Sequence, residues 1–308
     1  MSKNYLKTFT NLNGSHGGFA FSLSASISIA VSFLFSLIVA LIANSLNVPL
    51  ANLANDTWVI ITSFLLGSVI CISTILICKV KFNINLKPLI TCAKNEKTWL
   101  TYLCAALITF GVMFGLSEVN IYFLEFLKGL GLSPSEVELP VYSPLNFTLC
   151  VVCVCVLPAI FEEFLFRGII TYSLKGYGEV FAILVSGALF SLFHMNPAQT
   201  VYQFVFGALF AFIALRAGNI LPVILAHFVN NFFIVLNYYF LNFNLTGDTK
   251  INVMIVALVS LVAGVTLMAV FVKSEKIDKK PVVTKKEFFI YAIIGLIICL
   301  STWLTKLV

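Results

Sequence analysis

Charge is scarce in this sequence of 308 residues. Asp, Glu, Lys and Arg together make up 10% of it, against about 25% in an ordinary soluble domain. Arginine is rarer still: Arg167 and Arg216 stand beside 17 lysines, and there are three histidines. Long polar stretches are missing as well, since 60% of the residues are hydrophobic and the mean hydropathy is +1.03. These shortages exclude a disordered chain, a nucleic-acid-binding module and a normal soluble enzyme. The first apolar run, 19–43, has no small-residue cleavage site, which makes it a retained span and not a signal peptide. The eight cysteines lie almost entirely in apolar runs and suggest no disulfide framework. Cys150, Cys153 and Cys155 are close in sequence, but no other ligand type flanks them; they read as small apolar residues inside a helix.

What is present in abundance is apolar sequence in runs long enough to cross a bilayer. The fold class is therefore all-α, a polytopic transmembrane helical bundle of about eight to nine spans. The candidates are 19–43, 57–78, 99–117, 147–174, 180–195, 198–215, 219–241, 251–272 and 288–305. The fifth and sixth are short and joined by a tight Met195-Asn196-Pro197 turn, which leaves room for a re-entrant hairpin. In the mixed stretch 118–146, Ile121, Leu124 and Leu127 keep helical spacing, as an extension of the third helix or an interfacial helix. Pro134, Pro140 and Pro144 then break the chain. Three segments are expected: amino-terminal helices and a linker in 1–140, a chemical core in 145–240, and carboxyl-terminal helices in 241–308.

The lysines set an orientation. If the spans alternate, Lys3, Lys7, the loop 79–97, Lys175, Arg216 and the loop 273–286 fall on one side, carrying fifteen of the nineteen basic residues. Opposite them stand Lys128, Lys250 and Lys306, while Arg167 lies inside a span. Basic loops stay in the cytoplasm, so the sequence describes a multi-pass protein of the cell membrane with a cytoplasmic amino terminus.

Eight of the nine spans contain no Asp, Glu, Lys or Arg. The fourth contains Glu162, Glu163 and Arg167, and two of the three histidines, His194 and His227, also lie in apolar helices. At about 1.5 Å per residue, Glu162 lies ~20 Å, His194 ~24 Å, His227 ~15 Å and Asn231 ~21 Å from the basic ends of their helices. Acid, imidazole and amide thus share one slab near mid-membrane, where ionisable groups are costly and usually functional. Glu163 and Arg167 are four apart and can pair. Glu162 is five from Arg167, roughly 140° around the helix, and is freer to face a cavity. His227 and Asn231 share one face, as do Phe190 and His194; which of Asn230 and Asn231 faces inward follows from the spacing to His227 alone.

A carboxylate beside an imidazole can deprotonate water, and a second imidazole with a carboxamide can donate to a developing oxyanion. That is equipment for amide hydrolysis without a covalent intermediate. No Ser or Cys sits in a recognisable nucleophile elbow, and Ser191 reads as a packing hydroxyl. Zinc is the alternative, held by Glu162, His194 and His227; the H-E-x-x-H spacing is absent, and no metal or other cofactor is favoured. Three rival accounts remain: a buried ion pair with hydrogen-bonded histidines that glues helices, a non-catalytic scaffold or bacteriocin-immunity protein, and a proton-coupled transporter. The last calls for inverted repeats and broken helices in both halves, which the sequence does not display.

Glu162-Glu163-x-x-x-Arg167, then Phe190-x-x-x-His194, then His227-x-x-x-Asn231 resemble the three motifs of the CAAX-protease and bacteriocin-processing family of intramembrane proteases, also called the Abi family, which includes the type II CAAX prenyl endopeptidases. The resemblance covers roughly 145–240. It implies that Glu162 with His194 activates water, that His227 and Asn231 stabilise the oxyanion, and that Glu163, Arg167 and Phe190 support the site. It leaves metal use open. It also implies a peptide or membrane-protein substrate met within the lipid bilayer, with no nucleic acid. The Lys-over-Arg, Asn-, Ile- and Phe-rich composition points to an AT-rich bacterial genome, and so to small peptides or membrane proteins over prenylated substrates. Oligomeric state is not legible.

Overall fold

The computed structural model describes residues 12–90, 98–132, 138–241, 245–272 and 284–307, all helix and connecting loop with no strand among them. Lys3, Lys7, Cys92, Lys94, Lys97, Pro134, Lys273, Lys276, Lys279 and Lys280 lie outside the described residues. The principal helices are α1 (Gly14–Leu46), α2 (Thr57–Phe82), α3 (Thr98–Gly115), α4 (Ser117–Gly129), α5 (Pro144–Tyr177), α6 (Glu179–Phe193), α7 (Thr200–Ala217), α8 (Leu221–Leu241), α9 (Gly247–Phe271) and α10 (Lys285–Thr305). With α3 and α4 taken together as one span, eight helices among the described residues are long and apolar enough to cross a membrane. At 15 residues α6 falls short; about 22 Å of helix does not cover a ~30 Å hydrocarbon core.

The helix starts are set by caps that hydropathy does not register. The Asn13 side chain accepts from His16 N, so α1 begins five residues before Phe19. Ser143 accepts from Asn146 N at 3.1 Å, and Pro144 occupies the first turn of α5, where a missing N–H costs nothing. The expectation that Pro144 breaks the chain is thus corrected: it opens the longest span. In 118–146 the helical spacing is realised as α4, separated from α3 by a break at Leu116.

The first and last helices pair across the sequence. α1 packs along α10 and α3 along α9, while α6 and α7 form a tight hairpin. Each pair meets through small residues, as helices in lipid do: a Cβ on Gly187 would sit 2.8 Å from Ala208 N, so nothing larger than glycine fits there without α6 and α7 moving apart. α5 is central and touches α1, α2, α6, α7 and α8.

One end of the bundle gathers the basic ends. Arg216 Nε donates to Glu179 Oε1 at 2.6 Å and its Nη1 to Ala269 O at 3.1 Å. Tyr177 OH donates to Thr284 O at 3.1 Å, and Ile220 N to Leu89 O at 2.9 Å. Lys81 lies over the Phe19 ring and Lys285 over the Phe181 ring. At the opposite end, Lys250 pairs with Glu118 at 2.9 Å, and Trp303, three residues before Lys306, reaches the α6–α7 turn.

Candidate active site

α5 is not a uniform helix. Residues Val151–Val156 and Phe164–Thr171 are wound as π-helix, flanking a short α-helical stretch, Leu157–Glu163. Such widened turns recur at functional sites because they re-aim side chains. Pro158 lies within this interval. It has no N–H, so the α-helical donor to the Val154 carbonyl is missing, and Asn231 Nδ2 donates to that oxygen from α8 at 2.8 Å.

Glu163 and Arg167 are both fully buried, and Arg167 Nη1 donates to Glu163 Oε1 at 2.9 Å, the four-residue pairing that the spacing predicts. Arg167 Nη2 donates to Gly207 O at 3.2 Å, and the guanidinium lies over the Phe190 ring at 4.3 Å and that of Phe210 at 5.4 Å. The cation is thus held by one carboxylate, one carbonyl and two aromatic faces.

His227 joins the same carboxylate. Its Nδ1 lies 2.7 Å from Glu163 Oε1, and its Nε2 is 4.0 Å from Glu162 Oε2. Glu163 Oε1 therefore serves both Arg167 and His227, and the imidazole stands between the two glutamates. Glu162 is partly open, and its Oε2 has no hydrogen-bond partner among the described residues. The separation of 4.0 Å is too long for a direct hydrogen bond.

His194 is the C-cap of α6, and its Nδ1 lies 2.8 Å from Phe190 O. A carbonyl can only accept, so Nδ1 carries the proton and Nε2 of the neutral ring offers its lone pair. The next residue, Met195, has φ of 48°, a left-handed conformation unusual for a side chain that is not Gly, Asn or Asp. The turn is fixed from three sides: Ser191 Oγ donates to Thr200 O at 2.7 Å, Asn120 Nδ2 of α4 to Ala198 O at 3.2 Å, and Trp303 Nε1 of α10 to Thr200 Oγ1 at 2.7 Å.

The structure thus brings Glu162, Glu163, Arg167, Phe190 and His227 into one constellation, with His194 edge-on to Phe190 at 4.7 Å between ring centroids. It brings His227, not His194, within 4.0 Å of Glu162. Asn231 Nδ2 is engaged with Val154, and Oδ1 accepts from Asn230 Nδ2 at 3.0 Å. Three partners were not foreseen. Gly207, which accepts from Arg167, and Tyr202, whose OH donates to Asn230 Oδ1 at 2.9 Å, lie on α7, a helix with no Asp, Glu, Lys, Arg or His in its interior to draw notice. The Val154 carbonyl was discernible from Pro158, four residues on. Among the described residues no three His, Cys, Asp or Glu side chains are grouped closely enough to hold a metal ion, so Glu162, His194 and His227 do not form a three-ligand zinc site as they stand.

Residues 144–233 match the family model described as type II CAAX prenyl endopeptidase Rce1-like. The match runs from the first residue of α5 into α8 and includes all seven motif residues and Pro158. That is a family of CAAX-type intramembrane proteases. No curated protein and no solved structure matches the chain.

Proposed function

We propose that this multi-pass membrane protein, with its segment of the CAAX-type protease family, is an intramembrane endopeptidase that hydrolyses a peptide or membrane-protein substrate with water as nucleophile. The observation that carries the reading is Glu162: a side chain only partly covered, with a buried and unpartnered Oε2, beside a buried ion pair that already balances its neighbour Glu163. A purely structural network has no need of that second, uncompensated acid.

In this mechanism Glu162 takes a proton from water, and the Nε2 lone pair of His194 orients the same water. The hydroxide oxygen bonds to the scissile carbonyl carbon. His227 and the second hydrogen of Asn231 Nδ2 donate hydrogen bonds to the resulting oxyanion. When the C–N bond breaks, Glu162 returns its proton to the leaving amine. Glu163 and Arg167 hold His227 in place from a fully buried position, and Phe190 supports Arg167 with its ring and His194 with its carbonyl. The end rich in lysine faces the cytoplasm.

The test is comparative peptidomics of membranes from cells carrying wild-type or Glu162→Gln protein. The expected result is at least one peptide that accumulates uncut in the Glu162→Gln cells. Identical peptide profiles at equal protein levels would favour a scaffold or immunity role and remove the protease reading.

A further inference from the structure

A polar chain runs through the site that none of the three motifs accounts for. Tyr202 OH of α7 donates to Asn230 Oδ1 at 2.9 Å, Asn230 Nδ2 donates to Asn231 Oδ1 at 3.0 Å, and Asn231 Nδ2 donates to Val154 O at 2.8 Å. It links α7, α8 and α5 in an apolar setting, and Asn230 is 5% exposed.

The direction of every bond in this chain follows from one end. The Val154 carbonyl can only accept, and Pro158 has no N–H with which to make the α-helical bond to it. The group of Asn231 that faces it must therefore be the amide NH2. Asn231 Oδ1 then faces Asn230, which must present its own NH2. Asn230 Oδ1 is left facing Tyr202, whose hydroxyl must donate. Reversing Asn231 would set like groups against each other at both of its contacts, and reversing Asn230 would do so at its contact with Asn231, at a cost that burial makes severe.

We infer that Tyr202 and Asn230 are positioning residues of the active site: they lock the Asn231 carboxamide in the one orientation that leaves an N–H, and not its oxygen, available for the oxyanion. The inference rests on the proposed role of Asn231. Neither residue touches the reacting atoms; both act through Asn231. Pro158 is the origin of the polarity, because it leaves the carbonyl against which the chain is set.

Tyr202→Phe removes the terminal donor and keeps the ring. Asn230 Oδ1 loses its donor and the Asn230–Asn231 pair one of the bonds that hold it, so Asn231 is held less firmly in the orientation set by the Val154 carbonyl. The effect expected is a fall in kcat of about three- to tenfold, the range of one neutral hydrogen bond, with KM unchanged. Asn230→Asp places an acceptor-only carboxylate against Asn231 Oδ1 and should lower kcat further. In an Asn231→Ala background, Tyr202→Phe should cost nothing more, since the residue through which it acts is gone.

The probe is the peptide that accumulates in Glu162→Gln cells, resynthesised with a donor and quencher across the cleaved bond. It is assayed with full-length protein in liposomes, with thermal unfolding measured in parallel. A kcat loss in Tyr202→Phe that vanishes beside Asn231→Ala supports the inference. Unchanged kcat in Tyr202→Phe, or the same fold loss with and without Asn231, overturns it while leaving the protease reading intact. If no peptide depends on Glu162, the protease reading itself fails and takes this role with it.

Discussion

Replacing Glu163 by Gln tests whether the buried half of the site is held together by charge. Glu163 Oε1 accepts from Arg167 Nη1 at 2.9 Å and lies 2.7 Å from His227 Nδ1, and neither Glu163 nor Arg167 is exposed. Gln keeps the shape and one carbonyl acceptor but removes the counter-charge. Arg167 retains its bond to Gly207 O and its two aromatic faces, yet its cation stands uncompensated in a low dielectric. Breaking a buried pair from one side costs about 3–5 kcal/mol, and a change of that size should lower the apparent Tm on the order of 10 °C. The assay is thermal unfolding of detergent-purified protein, followed by the fraction remaining monodisperse after heating. The double variant Glu163→Gln/Arg167→Met removes both charges and should recover much of the loss. Glu162→Gln, at a partly open carboxylate with one unpartnered oxygen, should unfold near the wild-type temperature. A Glu163→Gln protein as stable as wild type, or a double variant less stable than the single, would refute the reasoning.

Trp303→Phe removes the donor to Thr200 Oγ1 at 2.7 Å, one of the three ties on the turn that carries His194; stability should fall by about 1 kcal/mol, and turnover should fall with it, as measured by unfolding and by peptide cleavage. For topology, a cysteine at position 286 should react with an impermeant maleimide after the membrane is opened, and one at position 141 in intact cells; the reverse pattern would invert the orientation.

Much of the fold was legible because hydropathy and length decide it: a run of some twenty apolar residues has few alternatives to a spanning helix. The helix starts were less so. Asn13, Ser143 and Pro144 act through single caps and a single turn, which a window average dilutes. The shortness of α6 follows from the turn at Met195-Asn196-Pro197, which the sequence marks, and its 15 residues show why that segment was the ambiguous one. In the site, the Glu163–Arg167 pair follows from spacing within one helix. The position of His227 between the two glutamates does not, because it depends on the rotation of α8 against α5, and the π-helical stretches on either side of Leu157–Glu163 alter that rotation. Tyr202 was invisible for a similar reason: nothing in a lone tyrosine on an apolar helix reveals that an asparagine faces it 28 residues later.

The central claim is that Glu162 activates water, and peptide hydrolysis by reconstituted protein in ¹⁸O-labelled water tests it most directly. Wild-type protein should place one ¹⁸O in the new carboxylate of the product. Glu162→Gln, folded to the same Tm, should turn over on the order of 10²–10⁴ times more slowly, the range a general base contributes. A Glu162→Gln protein that cleaves at the wild-type rate would contradict the account.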